Sequence, residues 1–153
     1  MTVRRFLPIV YSAVCIGIPK VKPVAKKTGK ARKLIPSKVK FTDSVSNVSY
    51  AAMMVAGFST GNKRLIGKSM NDNIVEPARF STIPNYYKLK SELLKIGALG
   101  VTISGAGPAV ISFLDNKTSI PKIRQCFKKQ FKSAGYDSSV ILTKIGKGAR
   151  VIN

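Results

Sequence analysis

Apolar residues along this chain recur at two spacings, one suited to strands and one to helices, and the boundaries between them divide it into elements. Residues 9–18 are short and rich in β-branched side chains, with Val10, Val14, Ile16 and Ile18, and Pro19 and Pro23 close the run, which predicts a buried strand. Residues 26–34 predict a short helix that Pro36 and Ser37 end. From Thr42 or Asp43, either of which suits a helix N-cap, Val45, Val48, Ala52, Val55 and Ala56 recur at helical spacing. That helix is rich in small residues, among them Ala51 and Gly57, which permit close approach of neighbours, so a central position is expected for it. A short helix over 65–70 follows. Residues 71–84 are polar, contain proline and lack periodicity, which marks a loop suited to function.

In the second half, Tyr86, Leu89, Leu93 and Ile96 form one helical face, with Gly97 placed for a left-handed cap. Residues 101–103 and 109–114 predict a hairpin joined by the glycine-rich turn 104–108. Ser119 offers an N-cap and Pro121 fits the first turn of a helix that Gly135 ends. On it Ile123, Cys126, Phe127, Phe131 and Ala134 face one way, and Lys122, Arg124, Lys128, Lys129 and Lys132 face largely away. Strands over 136–143 and 149–152 complete a mixed order of strands and helices, with the helices expected on one sheet face. The class is α+β, in a single domain over residues 1–153.

Charge narrows the partners. The chain carries 27 Lys and Arg against 6 Asp and Glu, a formal charge of +21, and so attracts anions. Nucleic acid, a nucleotide or a carboxylate substrate would each respond to such a field, and a solvated basic surface explains the same scatter of lysines. With Cys15 and Cys126 far apart and no histidine, neither a zinc constellation nor a histidine-dependent triad can be assembled, and no metal ligands or catalytic residues are assigned. Both cysteines lie in apolar stretches, as reduced thiols of a cytoplasmic protein do. The apolar run 6–18 behind Arg4 and Arg5 imitates a signal peptide, but Pro8 interrupts it and a membrane span needs about 20 apolar residues, so no targeting segment and no membrane partner is expected.

The segment Ser104-Gly105-Ala106-Gly107-Pro108 allows backbone to approach a ligand closely, although a tight hairpin alone would also require it. Its surroundings, LGVTISGAGPAVISF over 99–113, resemble the third conserved motif of the GHMP small-molecule kinases. The passages TGKARKLIP (28–36), TDSVSN (42–47), NDNIVEPAR (71–79), Ile83-Pro84 and GARV (148–151) resemble homoserine kinases within that superfamily, so the likeness runs from about Ile9 onward. It implies the fold of the family's C-terminal domain, an antiparallel sheet with helices mainly on one face. It also implies that Ser104, Gly105 and Gly107 help form the substrate site, and that Arg32 and Arg79 hold the carboxylate of L-homoserine. A planar guanidinium can grip a carboxylate with two parallel charge-assisted hydrogen bonds, whereas either arginine alone would read as a surface charge. Thr28, one turn before Arg32, is expected to give the substrate a hydroxyl hydrogen bond. Asn47 and Asp72 match as supporting residues, with ordinary roles open to them on a helix face and as a turn or cap. Tyr50 departs from a position where the family commonly has a basic residue, and Val75-Glu76 from a frequent His-Gln pair.

The family's glycine-serine-rich nucleotide loop and magnesium-associated acidic residue, which belong to its N-terminal half, have no counterpart in this sequence. Phosphoryl transfer depends on such groups to position and neutralise phosphate. ATP and Mg²⁺ are therefore expected for a complete enzyme, bound mainly by an N-terminal nucleotide-binding domain that is absent here. Met1 stands just before the first matched strand, as expected of one half of a split coding sequence. The expectation is the substrate-binding half of a homoserine kinase, forming O-phospho-L-homoserine in threonine biosynthesis, inactive alone, with a complementing half or a homo-oligomer as partner. The alternatives are a basic nucleic-acid-binding protein on a kinase-derived fold, against which the few aromatics argue, and a non-catalytic interaction domain using an apolar face.

Overall fold

The first strand, β1 (Ala13–Pro19), alternates as a sheet with one covered face should, with Cys15, Gly17 and Pro19 buried and the residues between them less so. The computed structural model describes residues 12–22 and 27–146, with side chains from 29 onward in the second stretch. The strand expected over 149–152, the GARV passage and the start of the first predicted strand lie outside these residues.

After β1 come α1 (Lys27–Lys33), α2 (Phe41–Thr60), α3 (Lys63–Ser69), α4 (Val75–Arg79), a 3-10 turn (Phe80–Thr82) and α5 (Tyr86–Ile96). The chain continues through β2 (Gly100–Ile103), β3 (Val110–Leu114), α6 (Ile120–Ser133) and β4 (Ser138–Thr143). The four strands form one antiparallel sheet in the order β2-β3-β1-β4. This is the α+β class with the antiparallel sheet that the resemblance implied.

Register decides which side chains meet the helices. Cys15 pairs with Ser112, Ser112 with Val101, and Gly17 with Val110, so these residues share one face. Leu89 and Leu93 of α5 and Ile123, Phe127 and Phe131 of α6 are fully buried in the same core. Gly17 is required there, because a Cβ at that position would overlap the Phe127 ring. The Ser112 hydroxyl donates to the Cys15 carbonyl at 3.1 Å, so the polar group at the centre of the face is satisfied. Both thiols are buried and free. Burial, joined by the Glu92 carboxylate, pushes the Cys126 thiol up to about 11, so it stays protonated near neutral pH.

Helix limits follow local chemistry. Gly97, at φ 112°, caps α5 in the left-handed conformation, and Gly61, at φ 67°, does the same for α2. Asn62 accepts from the Leu65 amide at 3.1 Å and starts α3. At the start of α2 neither Thr42 nor Asp43 is the cap. The helix begins earlier, at Phe41 after an extended Lys40, without a side-chain cap. Ser119 likewise occupies the N-cap position of α6 without a side-chain cap bond.

The expected central place of α2 is not observed. Its small residues do allow close packing, and its main neighbour is α3, with Gly57 at Ile66 and Met54 at Ser69. The periodic positions Val45, Val48, Ala52, Val55 and Ala56 face outward and are exposed. Periodicity identified the helix but not the side from which it would be covered. In turn α3 meets β2 where Gly67 and Gly100 bring their backbones together, an approach that any Cβ would block.

Candidate functional site

The passage 71–84, expected as a loop, contains α4 and the 3-10 turn, elements too short to impose a readable period. Two polar clusters hold this segment. The Asp72 carboxylate accepts from Asn47 Nδ2 at 2.9 Å and from the Ile74 and Val75 amides at 2.8 and 2.7 Å, while Asn47 Oδ1 accepts from the Asn73 amide at 2.9 Å. Partial burial tends to raise the Asp72 pKa, but these hydrogen bonds to the charged form outweigh it and hold it below the usual value. The structural roles open to Asn47 and Asp72 in the sequence are thus both realised, as a tie between α2 and the start of α4. On the next turn Glu76 is buried, receives a hydrogen bond from Lys90 Nζ at 2.6 Å, and lies beside the Tyr86 phenol. Burial, reinforced by that carboxylate, pushes the Tyr86 phenol far up, so it remains protonated.

Held in this way, Arg79 points inward from the end of α4. Its Nη1 donates to the Gly105 carbonyl at 2.9 Å and its Nε to the Ala31 carbonyl at 3.3 Å, so one buried guanidinium joins α1 to the glycine-rich turn. A guanidinium has five N–H groups, and these two contacts engage two of them. Within the turn, the Ser104 amide donates to Ala109 at 2.8 Å and the Gly107 amide to Ser104 at 3.0 Å. Gly105 and Gly107 adopt φ 56° and 71°, conformations that side-chain-bearing residues disfavour.

A cleft of about 520 Å³ opens beside this junction, bounded by Lys22, Lys30, Ala31, Thr82, Ala106 and Pro108. Apolar walls with two amines and no carboxylate suit a small anionic ligand. Lys22 and Lys30 stood in the sequence among scattered basic residues, and Thr82 inside an apparent loop, so no sequence signal singled them out.

The expected site residues separate here. Arg79, Ser104, Gly105 and Gly107 come together. Arg32 is on α1 next to Ala31, but its side chain is exposed, does not line the cleft and has no hydrogen-bond partner among the described residues. The side chain of Thr28 lies outside the described residues. A Mg²⁺ ion does not fit: no carboxylate borders the cleft, and the described residues contain no group of three or more His, Cys, Asp or Glu suited to a metal. A second, more open groove crosses the outer face of α6, lined by Arg124, Gln125, Lys128, Lys129 and Lys132. None of the helices among the described residues is long and apolar enough to cross a membrane.

Residues 54–133 match the family described as GHMP kinases, C terminal, which is just over half of the chain. The protein belongs to the GHMP kinases and has the fold of their C-terminal domain. Homoserine kinases are among the relatives that cover most of it. That of Pyrobaculum islandicum is 35% identical over 90% of this chain and 46% of its own length, and that of Pyrococcus furiosus is 36% identical over 80% of this chain and 41% of its own. The crystal structure of homoserine kinase from Cytophaga hutchinsonii superposes with a TM-score of 0.80 at 32% identity, over 88% of this chain and 42% of that one. The chain therefore spans less than half the length of these relatives.

Proposed function

We propose that this chain is the substrate-binding half of an ATP-dependent homoserine kinase, active in threonine biosynthesis in the cytoplasm and inactive without a nucleotide-binding half. The observation that carries this reading is the buried Arg79, whose guanidinium joins the Ala31 and Gly105 carbonyls, while Ala31 and the neighbour of Gly105, Ala106, border a cleft with two lysines. In the proposed complex Arg79 binds the homoserine carboxylate, Thr28 donates a hydroxyl hydrogen bond, and Ser104, Gly105 and Gly107 shape the site. The substrate's side-chain hydroxyl oxygen would form a bond to the γ-phosphorus of ATP, the bond to the β,γ-bridging oxygen would break to release ADP, and the hydroxyl proton would pass to solvent. ATP and Mg²⁺, held mainly by the nucleotide-binding half, would supply the phosphoryl group and its charge neutralisation. A homo-oligomer is the alternative partner.

The experiment is a steady-state assay of the chain supplied with a nucleotide-binding half. Arg79→Lys is expected to raise KM for homoserine about 10- to 100-fold, the scale of a lost charge-assisted hydrogen bond. It should leave turnover of 3-aminopropan-1-ol, which lacks the carboxylate, nearly unchanged. Equal losses on both substrates would refute carboxylate recognition by Arg79 and leave it a purely structural tie. The cationic groove on α6 favours a second reading, nucleic-acid binding, which predicts retention of RNA or DNA that weakens steeply with salt.

A further inference from the structure

Helix α6 has two chemically opposite sides. Ile123, Cys126, Phe127, Gln130 and Phe131 are buried, so its apolar side is committed to the core. Lys122, Arg124, Gln125, Lys128, Lys129 and Lys132 are all exposed, and the helix contains no acidic residue. Arg124, Lys128 and Lys132 succeed one another at steps of four, about 6 Å apart along the axis, and Lys129 flanks the row. The groove over this face, about 550 Å³ in volume, is lined by these four cations with Pro121 and Gln125, and by no carboxylate among the described residues. Lys132 Nζ lies 3.2 Å from Asp137, but the two side chains are 77% and 70% exposed, so water and salt screen the pair and leave the lysine open to another anion.

A row of cations answers a ligand whose charge also repeats. A nucleic-acid duplex presents one phosphate charge per about 1.7 Å of its axis, so the row faces several at once, whereas a single small anion would meet one or two exposed side chains in competition with water. No aromatic side chain lines the groove among the described residues, because Phe127 and Phe131 are turned into the core. That removes the stacking platform on which single strands depend and leaves contact with the backbone, which carries no sequence information. An anionic bilayer fits less well, since a helix lying in a lipid surface buries its apolar side there, and that side of α6 is already covered. The groove shares no lining residue with the cleft beside Arg79, so filling one leaves the other open.

We infer that the outer face of α6 binds the phosphate backbone of a nucleic-acid duplex without regard to sequence, through Arg124, Lys128, Lys129 and Lys132. This rests on the nucleic-acid reading above and gives it a form of ligand and an address on the fold.

The test titrates the full chain onto fluorescein-labelled DNA and RNA duplexes and follows anisotropy from about 50 to about 200 mM salt. Duplexes of unrelated sequence should bind alike, with a slope of log affinity against log salt of about −3 to −4 for four phosphate contacts. Arg124→Glu combined with Lys128→Glu should weaken binding at least about 10-fold and make the slope shallower by about 2, one for each lost contact. The matched control, Arg64→Glu with Lys68→Glu, makes the same change of charge at the same spacing on α3, which packs on β2 at the opposite edge of the sheet from β4, and should cost less than about 3-fold. All four side chains are exposed, so circular dichroism and melting of both variants should match the parent. Dependence on α6 with either duplex supports the proposal, and the duplex that shows it identifies the source of the phosphates. Equal losses in the two variants would reveal only the field of a chain of charge +21 and overturn the α6 address, while the nucleic-acid reading survives. Tighter binding of a single strand than of a duplex would overturn the form of the ligand. Absence of binding to either at about 50 mM salt would remove the proposal and that reading together. Capture by phosphatidylserine vesicles, without duplex binding, would reassign the face to a membrane.

Discussion

Lys90 Nζ lies 2.6 Å from Glu76 Oε1, and both side chains are largely removed from solvent, at 15% and 7% exposed. Glu76 precedes Arg79 by one helical turn, so this pair fastens the helix that carries the inward-pointing guanidinium to α5. Thr102 Oγ1, at 3.5 Å from the other carboxylate oxygen, adds a weaker contact from β2.

Lys90→Met is expected to cost about 3 kcal/mol, because it leaves a carboxylate buried without its counter-charge. The double variant Glu76→Gln, Lys90→Met should lose less than the sum of the single changes. Urea denaturation of the four proteins closes the cycle, and additive losses would show that the pair is not coupled.

Gly67→Ala is expected to destabilise the fold by about 2 kcal/mol, within the overpacking range, since the new methyl would overlap the Leu99 carbonyl and neither backbone can yield without moving α3 off β2. Gly29→Ala, with open space around it and a place inside α1, is the control and should be neutral or slightly stabilising. Thermal melting of the two variants separates these outcomes.

Asp72 predicts a pH dependence of definite sign. Its folded-state pKa is held below the ordinary value, so its stabilisation is fully present above the unfolded pKa and is lost as pH falls through the folded one. Asp72→Ala should cost about 1 kcal/mol at pH 7, the scale of a helix cap. The gap between parent and variant should close below about pH 4, near the carboxylate range. Melting curves from pH 7 to pH 3 test this, and a gap that widens with acid would contradict the assigned network.

Much of this architecture could be read from residue patterns. Tyr86, Leu89 and Leu93 on one side of α5, the Gly97 cap, and the sidedness of α6 depend on neighbours in sequence, which the chain states directly. Four of the expected site residues also meet, because the turn 104–108 and Arg79 each belong to a segment with its own motif. What could not be read depends on distant partners. The five-residue α4 is organised by Asn47 and Lys90, 25 residues before Asp72 and 14 after Glu76, and neither contact leaves a mark on local periodicity. The exposed stripe of α2 has the same spacing as a buried one. Arg32, a motif match equal to Arg79, sits on α1, which presents the carbonyl of its neighbour Ala31 to the interior instead.

Arg79 grasps the main chain at both of its contacts, the carbonyls of Ala31 and Gly105, and no side chain at either. Every amino acid brings the same carbonyl, so the latch depends on residue identity at position 31 only through the small buried volume that Ala31 fills, and on the path of the backbone at 105. Drift at the exposed positions of α1, Lys30, Arg32 and Lys33, can therefore accumulate without loosening the joint, provided that Ala31 stays small and the turn keeps its left-handed bend.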